Sequence, residues 1–432
     1  MSAFGSYSVA YGRGHLPLIL PPEAEPTVIR KATLPKLPDP IGAIHSAFRN
    51  PINAPALAEL ARGRRSACIL VCDITRPVPN RLFLKPMVEI IAAAGIPLKQ
   101  ITILVATGLH RPSENEELAE LIGDPWVLEN VRVINHFAQR DEDHVDLGKT
   151  PTRGTPVSIN RRFFEAELRI ATGLVEPHIM AGWSGGRKVV APGVAGHNTI
   201  RTFHSARFME DPLAIQCNLI GNPLHEEQIQ IVKMVGEIYA LNTVVDEDRD
   251  LAFVTFGEIV ASHLAAVEFV SNVTRVPLPR RFNTVVTSSA GYPLDKTYYQ
   301  TVKGMVTPID ILEHGGTLII ASACSEGFGS KPFREAQKKL VEFGPERFLA
   351  TLTAKSLADI DEWQTEMQLK PMRVGRIQLY TTGLGDEDRK LTAVDVIDSV
   401  DEAIAASIAQ HGDRAVAIIP EGPYIVPYYA AS

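Results

Sequence analysis

A chain of 432 residues with 45% hydrophobic and 22% charged side chains has the material for two or three packed domains. Its 43 Lys and Arg against 50 Asp and Glu give a net charge of −7, and the densest basic cluster, Arg62-Gly63-Arg64-Arg65, reads as a solvated helix end, so nucleic acid is not an expected partner. No apolar run nears the roughly 18 residues of a membrane span and the N-terminus lacks a secretory pattern, while the four scattered cysteines (Cys68, Cys72, Cys217, Cys324) read as reduced thiols of a cytoplasmic protein.

Strand runs alternate with helical patterns, which predicts an α/β fold with mostly parallel sheets. Ser66 to Ile74 reads as a buried strand whose exit carries Asp73, Thr75, Arg76 and Pro77. Helical periodicity follows from Leu82 to Ala94 and stops at Gly95. Ile101 to Thr107 is the next strand, leaving through Gly108-Leu109-His110-Arg111-Pro112. Ser113 with Glu116 has the spacing of a capping box for a helix to Ile122. Ala166 to Gly173 is a further strand, delivering His178 and the turn Ser184-Gly185-Gly186. Ligands of open α/β sheets collect at such strand exits.

VTRVPLP, at Val273 to Pro279, marks a boundary, giving a first domain of 1–275 and a second of 276–412. In the second, Phe282 to Ser288, Gly316 to Ala323 and Arg376 to Tyr380 read as strands. Asp295 is placed to cap a helix through Met305, and Asp395 to Gln410 reads as an amphipathic helix. The last expected strand, Arg414 to Ile419, is free to pair with either domain, and the tail 413–432 is a candidate to pack back on the first.

Several residues suit chemistry, each with a plainer alternative. Two glycines before Arg187-Lys188 let backbone amides approach an anion, though the Walker spacing is missing and such turns are common on surfaces. His110 and His178 follow strands and could exchange protons near neutrality, or be loop histidines without a task. His204, on an expected helix beyond the Pro192-Gly193 break, could be a metal ligand or a structural residue. Arg76 could hold a carboxylate through two parallel hydrogen bonds, or brace its turn against Asp73. Gln300 and Lys303 share a helix face beside Tyr299, and Trp363 is a lone aromatic after an acidic pair. No GxGxxG loop follows an expected strand, so a standard NAD site gains no support.

Together these segments resemble the nickel-dependent lactate racemase family, the nickel-pincer nucleotide enzymes. The resemblance rests on DITRPVPN (Asp73 to Asn80), ATGLHRP (Ala106 to Pro112), EPHIMAGWSGGRKVVAPG (Glu176 to Gly193), His204-Ser205, GNPLH (Gly221 to His225) and GYPLDKTYYQTVKGM (Gly291 to Met305). It implies two α/β domains with the active site in the cleft between them. It also implies a pyridinium mononucleotide joined to Lys188 through a thioamide, with His204 as the protein ligand to Ni(II) and Ser184, Gly185 and Gly186 near the cofactor phosphate. His110 and His178 match the two catalytic bases. Arg76 matches the substrate-carboxylate anchor and Asp73 a cofactor-side or bracing residue, while Tyr299, Gln300, Lys303 and Trp363 match residues that close over the site.

The implied activity is inversion of the C2 centre of a 2-hydroxy acid, lactate or a relative, by reversible hydride transfer. Cofactor-making enzymes are the implied partners, and no membrane is involved. Trp183 stands where a smaller aromatic is frequent in the family. Two other readings compete: a zinc hydrolase using His110, His178 and His204, and a non-catalytic nucleotide-binding protein using only the glycine turn.

Overall fold

The computed structural model describes residues 7–246 and 248–431. The chain divides into two compact units. One is formed by Thr33–Phe203 with Asp211–Asn272. The other gathers three separate pieces: the chain up to Ala32, the short run His204–Glu210, and everything from Val273 onward. The expected 1–275 domain therefore loses its first strands and a central heptapeptide to the second unit.

Alternate residues of the strand Ala67–Cys72 point into different cores, Ile69 and Val71 on one side and Cys68 and Leu70 on the other. A strand so covered on both faces belongs in the middle of a parallel sheet. It does: the six-stranded order is Leu251–Glu258, Tyr239–Val245, Leu168–Leu174, Ala67–Cys72, Ile101–Ala106, Arg132–Asn135. All neighbours run parallel except the Leu251–Glu258 edge. After Ala67–Cys72 the chain first builds outward through Ile101–Ala106, then returns to lay Leu168–Leu174 on the opposite side. The order reverses at this point, so the carboxyl ends of the three strands diverge into a crevice suited to a ligand.

The second unit holds an all-parallel sheet ordered Asp395–Ile397, Arg376–Tyr380, Leu312–Ala321, Phe282–Ser288, Ala415–Ile419, Glu25–Val28. The strand Ala415–Ile419 of the tail lies in this sheet. Val416 and Ile418 are core residues of this second sheet, packed with Val286, Ile319 and Ile404. Ala415–Ile419 is not the last strand, because Val426–Tyr429 follows and pairs with Arg275–Leu278.

Other local expectations change with their caps. Helix Tyr298–Val306 is capped by Thr297, whose side chain accepts from the Gln300 amide. Asp295 instead accepts from the amides of Gly12 and Ala323, tying the N-terminal hairpin to the sheet. Ser113 is not the cap of helix Asn115–Ile122, which begins after Glu114 with no side-chain cap bond, and the Ser113 amide and carbonyl are both taken by Asn135. The amphipathic stretch from Asp395 splits into the strand Asp395–Ile397 and the helix Val400–His411, capped by Ser399. Helix His197–Phe203 stops one residue short of His204. No helix among the described residues is long and apolar enough to cross a membrane.

Helix Glu362–Met372, in the second unit, carries a buried acid. Glu366 is 1% exposed, and its Oε1 has no hydrogen-bond partner among the described residues. Burial, then the nearby Glu210 carboxylate, pushes its pKa up to about 8. The folded chain thus keeps a proton that the unfolded chain releases near 4.5, so stability falls as pH rises from 4.5 to about 8 and is level above that. Glu366→Gln is expected to match the parent's melting temperature at pH 5 and exceed it at pH 9, with a gain on the order of a few kcal/mol. Calorimetry at the two pH values checks this, and an equal difference at both would mean the carboxyl does not titrate in that window.

Candidate active site

Three strand exits of the first sheet supply the crevice. After Ala67–Cys72 the chain turns on Asp73, which is 6% exposed. Its Oδ1 accepts from the amide and hydroxyl of Thr75, at 3.2 and 2.6 Å, a local turn that frees Oδ2 to face the next exit. There Oδ2 meets Nδ1 of His110 at 2.5 Å. Burial pushes the Asp73 carboxyl up, but the hydrogen bonds from His110 and Thr75 and the charge of Arg76 outweigh it, and its pKa lies below 3.8. A carboxylate can only accept, so His110 carries its proton on Nδ1 and Nε2 is left as the basic nitrogen of the neutral ring. The His110 side chain is 60% exposed and reaches outward from this anchor. Its loop is tethered at Gly108, whose amide donates 2.9 Å to the Gly193 carbonyl.

Arg76 does not brace Asp73 by a direct hydrogen bond; its guanidinium forms an ion pair with Glu176, at the exit of Leu168–Leu174. One carboxylate does not exhaust the five donors of an arginine. Two residues on, His178 lies in a short ladder pairing Pro177–His178 with Gly182–Trp183. Its Nδ1 accepts from the amides of Met180 and Ala181 at 3.4 and 3.2 Å. The neutral His178 ring therefore carries its proton on Nε2, the reverse of His110.

The glycine turn is held from inside the unit. Ser184 Oγ donates to the Leu174 carbonyl at 2.7 Å and accepts from the Glu176 amide at 3.0 Å, so its hydroxyl is spent on closing the turn. The Gly186 amide donates 2.9 Å to Asn242 Oδ1, and Gly186 adopts φ +45°, which favours glycine. A Cβ on Gly173 would lie 2.8 Å from the Gly185 Cα, so strand and turn touch backbone to backbone. Lys188 sits half-buried in the helix Arg187–Val190, its amide donating to the Gly185 carbonyl. Trp183 is 1% exposed, packed in the interior.

The remaining expected residues cluster in the second unit. The rings of His204 and Trp363 lie 4.6 Å apart at 40°. Trp363 Nε1 donates to the Tyr299 hydroxyl at 3.3 Å, and burial raises the Tyr299 phenol above its ordinary 10. Gln300, on the same helix, has a buried Oε1 with no hydrogen-bond partner among the described residues, and Lys303 follows on that helix. Among the described residues, one group of three metal-ligand side chains comes close enough to share an ion: Asp246, Asp248 and Asp250. It contains no histidine, and Lys36 Nζ already lies 2.8 Å from both Asp248 and Asp250.

Sequence reasoning did not find Glu176 as partner of Arg76, the Asp73–His110 pair, or Asn242, which holds the glycine turn. Glu176 at least stood inside the EPH string. The others depend on which side chains the fold brings together.

Two family models match the chain, the lactate racemase N-terminal domain over residues 11–216 and the lactate racemase C-terminal domain over residues 279–426. A lactate racemase of Lactiplantibacillus plantarum is 32% identical over 383 residues, 88% of this chain and 89% of that protein. A lactate racemase of Thermoanaerobacterium thermosaccharolyticum is 30% identical over 97% of this chain and 98% of that protein. Among solved structures, the lactate racemase apoprotein of T. thermosaccharolyticum superposes with a TM-score of 0.89 at 28% identity, covering 98% of this chain and 99% of that one. A Thermotoga maritima protein shares the fold, with a TM-score of 0.67 at 19% identity over 87% of this chain and 96% of that one.

Proposed function

We propose, since this chain belongs to the lactate racemase family, that it is an isomerase inverting the C2 centre of lactate or a closely related 2-hydroxy acid. The observation that carries this reading is the opposed hydrogen bonding of the two imidazoles at Nδ1. His110, with Nδ1–H committed to Asp73, offers a lone pair on Nε2; His178, with Nδ1 committed as an acceptor, holds a proton on Nε2. A reaction that draws the hydroxyl proton of one enantiomer and returns it to the other needs one ring of each kind.

Arg76 would anchor the substrate carboxylate, sharing its guanidinium with Glu176. Asp73 would keep His110 in one tautomer and orientation throughout. Tyr299, Gln300, Lys303 and Trp363 would contact substrate or cofactor.

The donor set suits a lysine-tethered nickel-pincer nucleotide: Lys188 offers an amine, His204 an imidazole ligand for Ni(II), and the buried, unpartnered Oε1 of Gln300 an acceptor for a polar group. When bound, such a group supplies a carbon that takes up and gives back the α-hydrogen with its electron pair, so no bare carbanion forms beside the carboxylate. Enzymes that make the group would be this protein's partners.

The test uses protein co-expressed with those enzymes and a panel of chiral 2-hydroxy acids in deuterated solvent. The expected result is nickel with a mass adduct at Lys188, and loss of optical rotation with little deuterium at C2. Complete deuterium incorporation would point to proton abstraction and sink the reading.

A further inference from the structure

Arg187 is among the largest fully buried side chains of the chain, at 0% exposure. No carboxylate pairs with it among the described residues. Its Nη2 donates to the carbonyls of Ala181 and Trp183, at 3.1 and 3.2 Å, and its Nη1 lies 2.9 Å from Nε2 of His263. The same ring nitrogen lies 2.8 Å from the Ser184 carbonyl. The guanidinium thus holds the backbone at Ala181 and Trp183, and His263 Nε2 sits between Arg187 and the Ser184 carbonyl, able in its neutral form to accept from the first or donate to the second but not both at once.

His263 also limits the next residue. A Cβ on Gly186 would meet the His263 Cβ at 3.1 Å, so the helix Ile259–Thr274 presses directly on the turn. The neighbouring Ser262 accepts from Asn242 Nδ2 at 3.2 Å, and Asn242 Oδ1 takes the Gly186 amide. Every restraint ends on the residues leading into Lys188. Burial lowers the Arg187 pKa to about 9, which still leaves it charged at neutrality. Burial and the Arg187 charge hold His263 well below 6.5, so the ring is neutral and adds no second cation.

A buried cation without a counter-carboxylate is costly, and an apolar side chain would fill the same space without that cost. The arginine fork does something an apolar group cannot: it satisfies two carbonyls and a ring nitrogen at fixed angles. We infer that Arg187 and His263 are positioning residues for Lys188, forming a clamp that sets the backbone from which its amine is presented for covalent attachment. This rests on the tethered-cofactor reading above.

Four variants test it: Arg187→Lys, Arg187→Met, His263→Leu and His263→Gln, the last retaining a donor and an acceptor near the Nε2 position. Two readouts are taken by peptide mass spectrometry. The first is the fraction of chains bearing the adduct at Lys188 after co-expression with the cofactor-making enzymes. The second is the labelling rate of Lys188 in cofactor-free protein with an amine-acylating reagent, relative to the exposed Lys99.

Because misplacement by about 1 Å can cost about 100-fold in a positioned reaction, Arg187→Met and His263→Leu are expected to lower adduct occupancy at least ~10-fold. They are also expected to change the Lys188 labelling rate while Lys99 labels as before. Arg187→Lys, which keeps charge but not the fork, is expected to behave like Arg187→Met. His263→Gln is expected to stay within about two-fold of the parent.

Parent-like occupancy and labelling in folded Arg187→Met would overturn the inference. Should Arg187→Met fail to fold, the His263 pair decides, and equal behaviour of Leu and Gln overturns it. Absence of any adduct on the parent would instead fail the cofactor reading, while the labelling arm still decides the clamp.

Discussion

Lys188→Arg is expected to yield a folded protein with no mass adduct and with racemisation at the assay background, a loss of at least ~1,000-fold. Arginine keeps the cation and nearly the length of lysine, and the backbone bond from residue 188 to the Gly185 carbonyl needs no side chain. The side chain is only half-buried, so the cost in stability is expected to stay within ~1 kcal/mol. The chemistry changes completely, because a guanidinium stays protonated, whereas an amine that has given up its proton is a nucleophile. Intact mass, peptide mapping and chiral chromatography of both lactate enantiomers check the three parts separately. An adduct persisting in this variant would move the attachment to another residue.

The second large effect is expected at the Asp73–His110 pair. His110→Ala removes the basic nitrogen outright and is expected to bring kcat near background. Asp73→Asn keeps shape but offers an amide where a carboxylate accepted the Nδ1 proton, so the ring is free to hold its proton on Nε2 instead. A drop in kcat of roughly 100- to 10,000-fold is expected, with KM changed only a few-fold, since Asp73 is buried and meets its partners rather than solvent. His178→Ala is expected to match His110→Ala. Two enantiomers have equal free energies, so kcat/KM must fall by the same factor in both directions for each variant. Progress curves from pure D and pure L substrate measure this. Full activity in Asp73→Asn would remove the carboxylate from the mechanism.

The central strands of both sheets could be read from sequence because they are continuous apolar runs bounded by glycine, proline or charge. Phe282–Ser288 and Arg376–Tyr380 emerge with the limits their patterns imply. Elements whose signal is shared with a competing local pattern could not. Asp395 to Gln410 has helical composition throughout, yet its first residues extend the sheet beside Arg376–Tyr380, where backbone pairing outweighs propensity. Asp295 looked like a helix cap because a helix follows it closely, but its carboxylate is drawn to two distant amides.

The candidate site divides the same way. Motif strings mark the candidate residues, since strand exits and glycine turns are local. Which of them meet was decided by long-range contacts. Nothing near Arg76 in sequence names Glu176 as its partner, and nothing near Arg187 foretells that an arginine is buried without an acid. Composition penalises such a burial; only the surrounding carbonyls and His263 make it tolerable.

The strand Glu25–Val28 leaves the ribosome long before the strand it zips against, Ala415–Ile419, is made. Ala206, from mid-chain, likewise waits for Ala336, Leu340 and Phe348 before its apolar contacts are complete. This unit therefore cannot mature co-translationally piece by piece. Its open edge must be kept from strangers until those later segments are made, and that delay makes chains truncated before them candidates for aggregation rather than for partial activity.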